Sequence, residues 1–173
     1  IILKDLGKTQ EAEIAYRKSI EINPDYAIVH FNLGHLLRDL GKLKEAEISY
    51  RKAIELNPDI AQAHSNLGII LKDLGKTQEA EISYRKAIEI KPDFAEAYYN
   101  LGTILIDIGK LKEAEFYTRR AIELNPNLPD AHLNLGMLFR SLGKLKEARL
   151  CSEKIMSLRS WSITGSYSFN YEM

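Results

Sequence analysis

The chain holds one cysteine, Cys151, one tryptophan and five prolines in 173 residues. A lone thiol excludes an internal disulfide and suits a reducing compartment such as the cytoplasm. No apolar run approaches the ~20 residues that a membrane-crossing helix requires, so no membrane partner is expected. A dominant charge is missing as well. Lys plus Arg and Asp plus Glu number 24 each, with no basic stripe standing clear of acidic neighbours. Nucleic acid is therefore not an expected partner. The sequence also lacks a G-x-S-x-G elbow, a Walker loop and a Rossmann glycine pattern, so no catalytic residue and no cofactor is assigned.

What is present is a period. The stretch Asn32 to Asp59, NLGHLLRDLGKLKEAEISYRKAIELNPD, recurs 34 residues later from Asn66 and again from Asn100, without insertions. Gly34, Gly68, Gly102 and Gly136 form one row, and Gly7, Gly41, Gly75, Gly109 and Gly143 another. A constant spacing of this size marks an all-α solenoid of stacked helix pairs. Within one unit, His30, Leu33, Leu37 and Leu40 recur at spacings of three and four, as do Ala46, Tyr50, Ala53 and Ile54, which predicts two amphipathic helices. Gly41 stands where a left-handed residue ends the first helix, and Asn57-Pro58 ends the second. Asp59 with Gln62, Asp93 with Glu96 and Asn127 with Asp130 have capping-box spacing, and Pro129 fits a first turn. The second helices start near Lys42 without a good cap, which Glu45 and Glu47 partly offset through the helix dipole. Glycine inside a first helix costs about 1 kcal/mol against alanine. Close packing of Gly34 and Gly68 on Ala46, Ala53, Ala80 and Ala87 is the expected reason.

The repeat array is predicted to span 1–158: a partial repeat at 1–26, in which ILKDLG ends one helix before AEIAYRKSIEI forms the next, then units at 27–60, 61–94, 95–128 and 129–158. The start at Ile1, partway through a repeat, reads as a piece of a longer protein. Residues 159–173 change character, with WSITGSYSFNYEM alternating apolar and polar. Two readings stand for this tail: Trp161, Ile163 and Tyr167 cover Leu150 and Met156, or a further domain begins there.

The rows Leu33-Gly34, Leu37, Gly41, Ala46, Tyr50, Ala53 and Pro58, with their copies, resemble the tetratricopeptide repeat over roughly 1–158. The resemblance implies a right-handed superhelix with first helices lining a concave groove, second helices forming a convex back, and binding of peptides or proteins. The sequence departs from the family's pattern twice. His30, His64 and His132 replace an aromatic that Tyr98 keeps, and Glu47-Ile48, like Glu13-Ile14 and Glu81-Ile82, reverses the usual apolar-then-acidic order.

Asn32, Asn66, Asn100 and Asn134 make an unbroken row on the first helices, and an amide that donates and accepts suits a peptide backbone. The row resembles the asparagine ladder in the tetratricopeptide groove of O-linked N-acetylglucosamine transferase. The other reading is that each amide ties adjacent first helices together; alanine at Asn66 and Asn100 separates the two, since loss of a ligand contact leaves the melting temperature nearly unchanged. Phe31, Ser65, Tyr99, Leu133, His35, Ile69, Thr103 and Met137 are expected to line the groove, with Arg38, Lys72 and Arg140 at its rim. The histidines, one per unit, are too far apart to share a metal ion, whose ligands sit about 2 Å from it, and are read as packing residues. Ile14, Ile48, Ile82, Phe116 and Leu150 fall on the charged side of the second helices, where Lys and Arg stems cover them or a second copy packs on them. The functions these features admit are a scaffold for an extended protein segment, the substrate-selecting arm of a larger enzyme such as a glycosyltransferase, and a self-assembly element.

Overall fold

The computed structural model describes the backbone of residues 2–167 and the side chains of residues 8–158. The described residues form the helices α1 (Ile2–Ile22), α2 (Ala27–Asp39), α3 (Leu43–Leu56), α4 (Ala61–Asp73), α5 (Thr77–Ile90), α6 (Ala95–Asp107), α7 (Leu111–Leu124), α8 (Pro129–Ser141) and α9 (Leu145–Tyr167). The chain divides into two compact units, Ile1–Pro92 and Asp93–Met173. In the first, α2 packs on α3 and α4 on α5, while α1 and α3 lean on the following hairpin and α2 touches α4. In the second, α6 packs on α7 and α8 on α9, with α7 against α8 and α6 against α8.

Each first helix stops in the same way. Gly41, Gly75, Gly109 and Gly143 adopt φ of 72°, 75°, 78° and 72°, a region that side chains with a Cβ avoid. The lysine after each glycine donates its backbone N–H back along the helix, as Lys42 does to Leu37 and Lys76 to Leu71, both at 2.8 Å. The neighbouring glycine N–H bonds Arg38 and Lys72, completing Schellman caps that satisfy the last carbonyls.

Three local expectations need correction. The capping boxes do not form: Ile60, Phe94 and Leu128 occupy the cap positions, without a side-chain bond. Instead Asn57 and Asn125 turn inward on their own loops, each Oδ1 accepting the backbone N–H two residues on at 3.1 Å. Once that turn is set, Asp59 and Asn127 lie one residue too early to cap. Nor does Gly7 break its helix, since α1 runs through it. An interior glycine costs a helix only about 1 kcal/mol, so a glycine does not by itself end one. Finally, the helical glycines face rings rather than alanines. A Cβ on Gly34 would stand 2.9 Å from the Tyr50 ring, and one on Gly68 2.7 Å from that of Tyr84. At the next positions in the row, Thr118 and Cys151 are the neighbours of Gly102 and Gly136. At the other end of the chain, α9 continues helically to Tyr167. The side chains of Trp161, Ile163 and Tyr167, expected over Leu150 and Met156, lie outside the described residues.

Candidate functional site

The histidine row has a local task. Nε2–H of His30, His64 and His132 donates to the carbonyl of Pro24, Pro58 and Pro126 at 2.8, 2.9 and 3.0 Å, tying each first helix to the turn before it. Burial holds the His64 pKa below its ordinary value, with the Pro58 bond pulling the other way. The signal for this was in the sequence: each histidine stands six residues after an Asn-Pro proline, and where Lys91-Pro92 replaces that pair, Tyr98 replaces the histidine. No group of three or more His, Cys, Asp or Glu among the described residues could hold a metal ion. No helix among them is long and apolar enough to cross a membrane.

On the first-helix face of the first unit, α2 offers half-buried Phe31 and Asn32 and exposed His35. Arg38 Nη2 donates to His35 Nε2 at 3.1 Å and to Asp39 at 3.0 Å, while His35 Nδ1 faces Asp39 at 3.3 Å. This rim cluster is solvated and adds little stability. On α4 only Ile69 and the rim residue Lys72 reach the surface among the predicted positions. Ser65 and Asn66 are 3% and 7% exposed, because α4 is packed by α2, α3 and α5. The open amide row therefore does not extend to Asn66, which lies against the Tyr50 hydroxyl. Burial pushes the Tyr50 pKa up to about 12, against the pull of Arg38 and of the Asn66 side chain. Even so, no atom of the described residues meets hydrogen-bond geometry with that hydroxyl. Alanine at Asn66 is thus expected to lower the melting temperature as well as any binding.

The second unit presents a fuller surface. Tyr99, Asn100 and Thr103 on α6 are half-buried, while Leu133 and Met137 on α8 are 47% and 58% exposed, with Arg140 at the rim. Between them, Asn134 Nδ2 donates to Thr103 Oγ1 at 2.8 Å, so this amide does tie adjacent first helices.

The second-helix face carries a repeated ion ladder. Glu13 accepts from Arg17 and from Lys42 of the next second helix, each at 2.8 Å, and Arg17 also reaches Glu45 at 2.6 Å. The same links recur between Glu47, Arg51, Lys76 and Glu79, and in the second unit between Glu115, Arg119 and Lys144. Here the reversed Glu-Ile order has its consequence. The carboxylate turns inward, as with the Glu47 side chain at 12% exposure, and the residue after it turns outward. Ile48 and Ile82 are 68% and 67% exposed, and Ile14, Phe116 and Leu150 are exposed likewise, so basic stems do not cover them.

The ladder predicts acid sensitivity. The Lys42 and Arg17 bonds hold Glu13 below its ordinary pKa; for Glu47, burial alone acts upward, and the Lys76 and Arg51 bonds outweigh it. Glu115 is held down chiefly by Arg119. A carboxyl with a depressed folded pKa stabilises the fold above its unfolded value near 4.5 and loses that contribution as pH falls through the folded value. Neutral His64 acts in the same direction below its unfolded value near 6.5. Thermal melts from pH 7 downward are expected to show Tm beginning to fall below about 6.5 and falling more steeply through the carboxylate range. A flat profile contradicts the ladder.

These hairpins match known repeat families. A family model described as TPR repeat matches residues 34–75 and 69–109, and models described as Tetratricopeptide repeat match 1–26, 15–48, 95–128 and 117–150. The chain is a tetratricopeptide repeat protein. Among solved structures, this tetratricopeptide chain is 30% identical to YrrB, described as a TPR protein with an unusual peptide-binding site, over 91% of this chain and 86% of that one, at a TM-score of 0.75. PilF of Pseudomonas aeruginosa is 25% identical over 88% of this chain and 70% of its own, with a TM-score of 0.80. MamA shares the fold at a TM-score of 0.86 and 24% identity, covering 93% of this chain and 94% of that one. No curated protein sequence matches the tetratricopeptide chain.

Proposed function

We propose that this tetratricopeptide protein is an interaction scaffold whose first-helix face takes an extended protein segment. The observation that carries the reading is the pair of exposed apolar side chains, Leu133 and Met137, flanking an amide already oriented by Thr103. Apolar side chains left in water beside fixed hydrogen-bonding groups are the usual make-up of a peptide site. Adjacent helices lie about 10 Å apart and an extended chain advances ~3.3 Å per residue, so side chains from α6 and α8 meet roughly every third residue of a segment crossing them. YrrB, a relative with a peptide-binding site by its description, supports the same class of ligand.

The test is a peptide array probed with the parent chain and with Leu133→Ser combined with Met137→Ser. Both side chains face water, so the melting temperature is expected to stay within a degree or two of the parent's while binding weakens about tenfold or more, roughly 1.4 kcal/mol. Undiminished binding by the double variant contradicts the assignment.

A further inference from the structure

The second-helix face of the first unit is chemically self-complementary. Ile14, Ile48 and Ile82 stand outward on three second helices at the same position, 55%, 68% and 67% exposed. Three residues before each lies a glutamate, Glu11, Glu45 or Glu79, and four residues after each a lysine, Lys18, Lys52 or Lys86. We propose that this face pairs with the same face of a second copy of the chain, about a two-fold axis that runs along the isoleucine stripe. That axis sets each second helix antiparallel to its own counterpart. Each isoleucine then meets its own copy, and at 3.6 residues per turn the residue three before shares a flank with the residue four after and lies opposite it across the axis. Glu11 faces Lys18, Glu45 faces Lys52 and Glu79 faces Lys86, each in both directions, as an isologous contact requires.

The charged groups concerned are available. The side chains of Lys52 and Lys86 are 36% and 43% exposed, those of Glu45 and Glu79 49% and 50%. The ladder within one chain already holds Glu45 and Glu79 in a row, and a second copy laid on it adds a lysine to the exposed side of each. One like-charge pair results, Lys44 opposite Arg51, and Glu47 and Glu79 already hold that guanidinium. The residues four before on the other helices are Gln10 and Gln78, which face Arg17 and Arg85 without repulsion. Opposed charges around an apolar centre favour a copy of this surface over a uniformly charged or purely apolar partner.

The experiment is sedimentation velocity over a concentration series on the full chain and on Ile14→Gln, Ile48→Gln, Ile82→Gln combined, with circular dichroism confirming that the variant is folded. The parent is expected to pass from monomer to dimer, and the triple variant to remain monomeric where the parent is dimeric. Ile48→Cys under copper-phenanthroline oxidation reads the arrangement, with the parent, whose Cys151 is buried, as control. A crosslinked dimer from Ile48→Cys alone is expected. A parent that stays monomeric throughout overturns the proposal, as does a triple variant that dimerises like the parent. A dimer in which Ile48→Cys fails to crosslink overturns the two-fold along the stripe.

Discussion

Leucine at Gly68 is expected to cost roughly 3 kcal/mol or more, the upper end of what overpacking a filled interior does. The site has no slack. A Cβ alone would sit 2.7, 2.8 and 2.9 Å from three ring atoms of Tyr84, and that ring, 1% exposed, cannot swing into solvent. Leucine adds three further carbons to the same space, so α4 and α5 must separate. The check is urea unfolding followed by circular dichroism, where the midpoint should drop sharply at unchanged helix content in native buffer. A midpoint equal to the parent's shows that the glycine row is not there for close approach.

The reciprocal change is larger. Tyr84→Ala removes a whole ring from between α4 and α5 and is expected to cost about 3–5 kcal/mol, the range for aromatic truncation in a core. Because the glycine leaves the ring's near side bare, neither helix can collapse into the gap without shifting the hairpin. The two substitutions should also couple. Leucine at Gly68 fills part of the space that alanine at Tyr84 empties, so the double variant is expected to be more stable than the sum of the single losses. Additive losses in the same urea experiment would mean that the two residues do not share one packed volume.

The period of 34 made the hairpins, their glycine turns and the family legible, because each depends on residue type at fixed positions within one helix or turn. The spaces between helices were harder to read. Small residues at matching heights point Gly34 and Gly68 at alanine neighbours, yet which neighbour a helical glycine meets depends on how the two helices are rotated, and Tyr50 and Tyr84 take the place. Ser65 and Asn66 read as groove residues from their register, but packing on three sides buries them. The ladder joins Glu13 to Lys42 and Glu47 to Lys76, 29 residues apart. Helical spacing, which compares residues three or four apart, does not reveal such a pair, although the strict recurrence of both members was visible. The reversed Glu-Ile order is visible in the sequence as a departure, and its meaning lies in the inward carboxylate.

That order can be tested without altering composition. Exchanging the two residues at 13 and 14, 47 and 48, and 81 and 82, so that isoleucine comes first, moves three carboxylates out of the ladder and three apolar groups in. Measured as Tm against pH, the exchanged chain is expected to stay helical and to lose most of the parent's decline in the carboxylate range, because exposed glutamates no longer carry depressed pKa values. An exchanged chain whose Tm falls with acid as steeply as the parent's would contradict the inward placement of Glu13, Glu47 and Glu81 on which this view of the second-helix face rests.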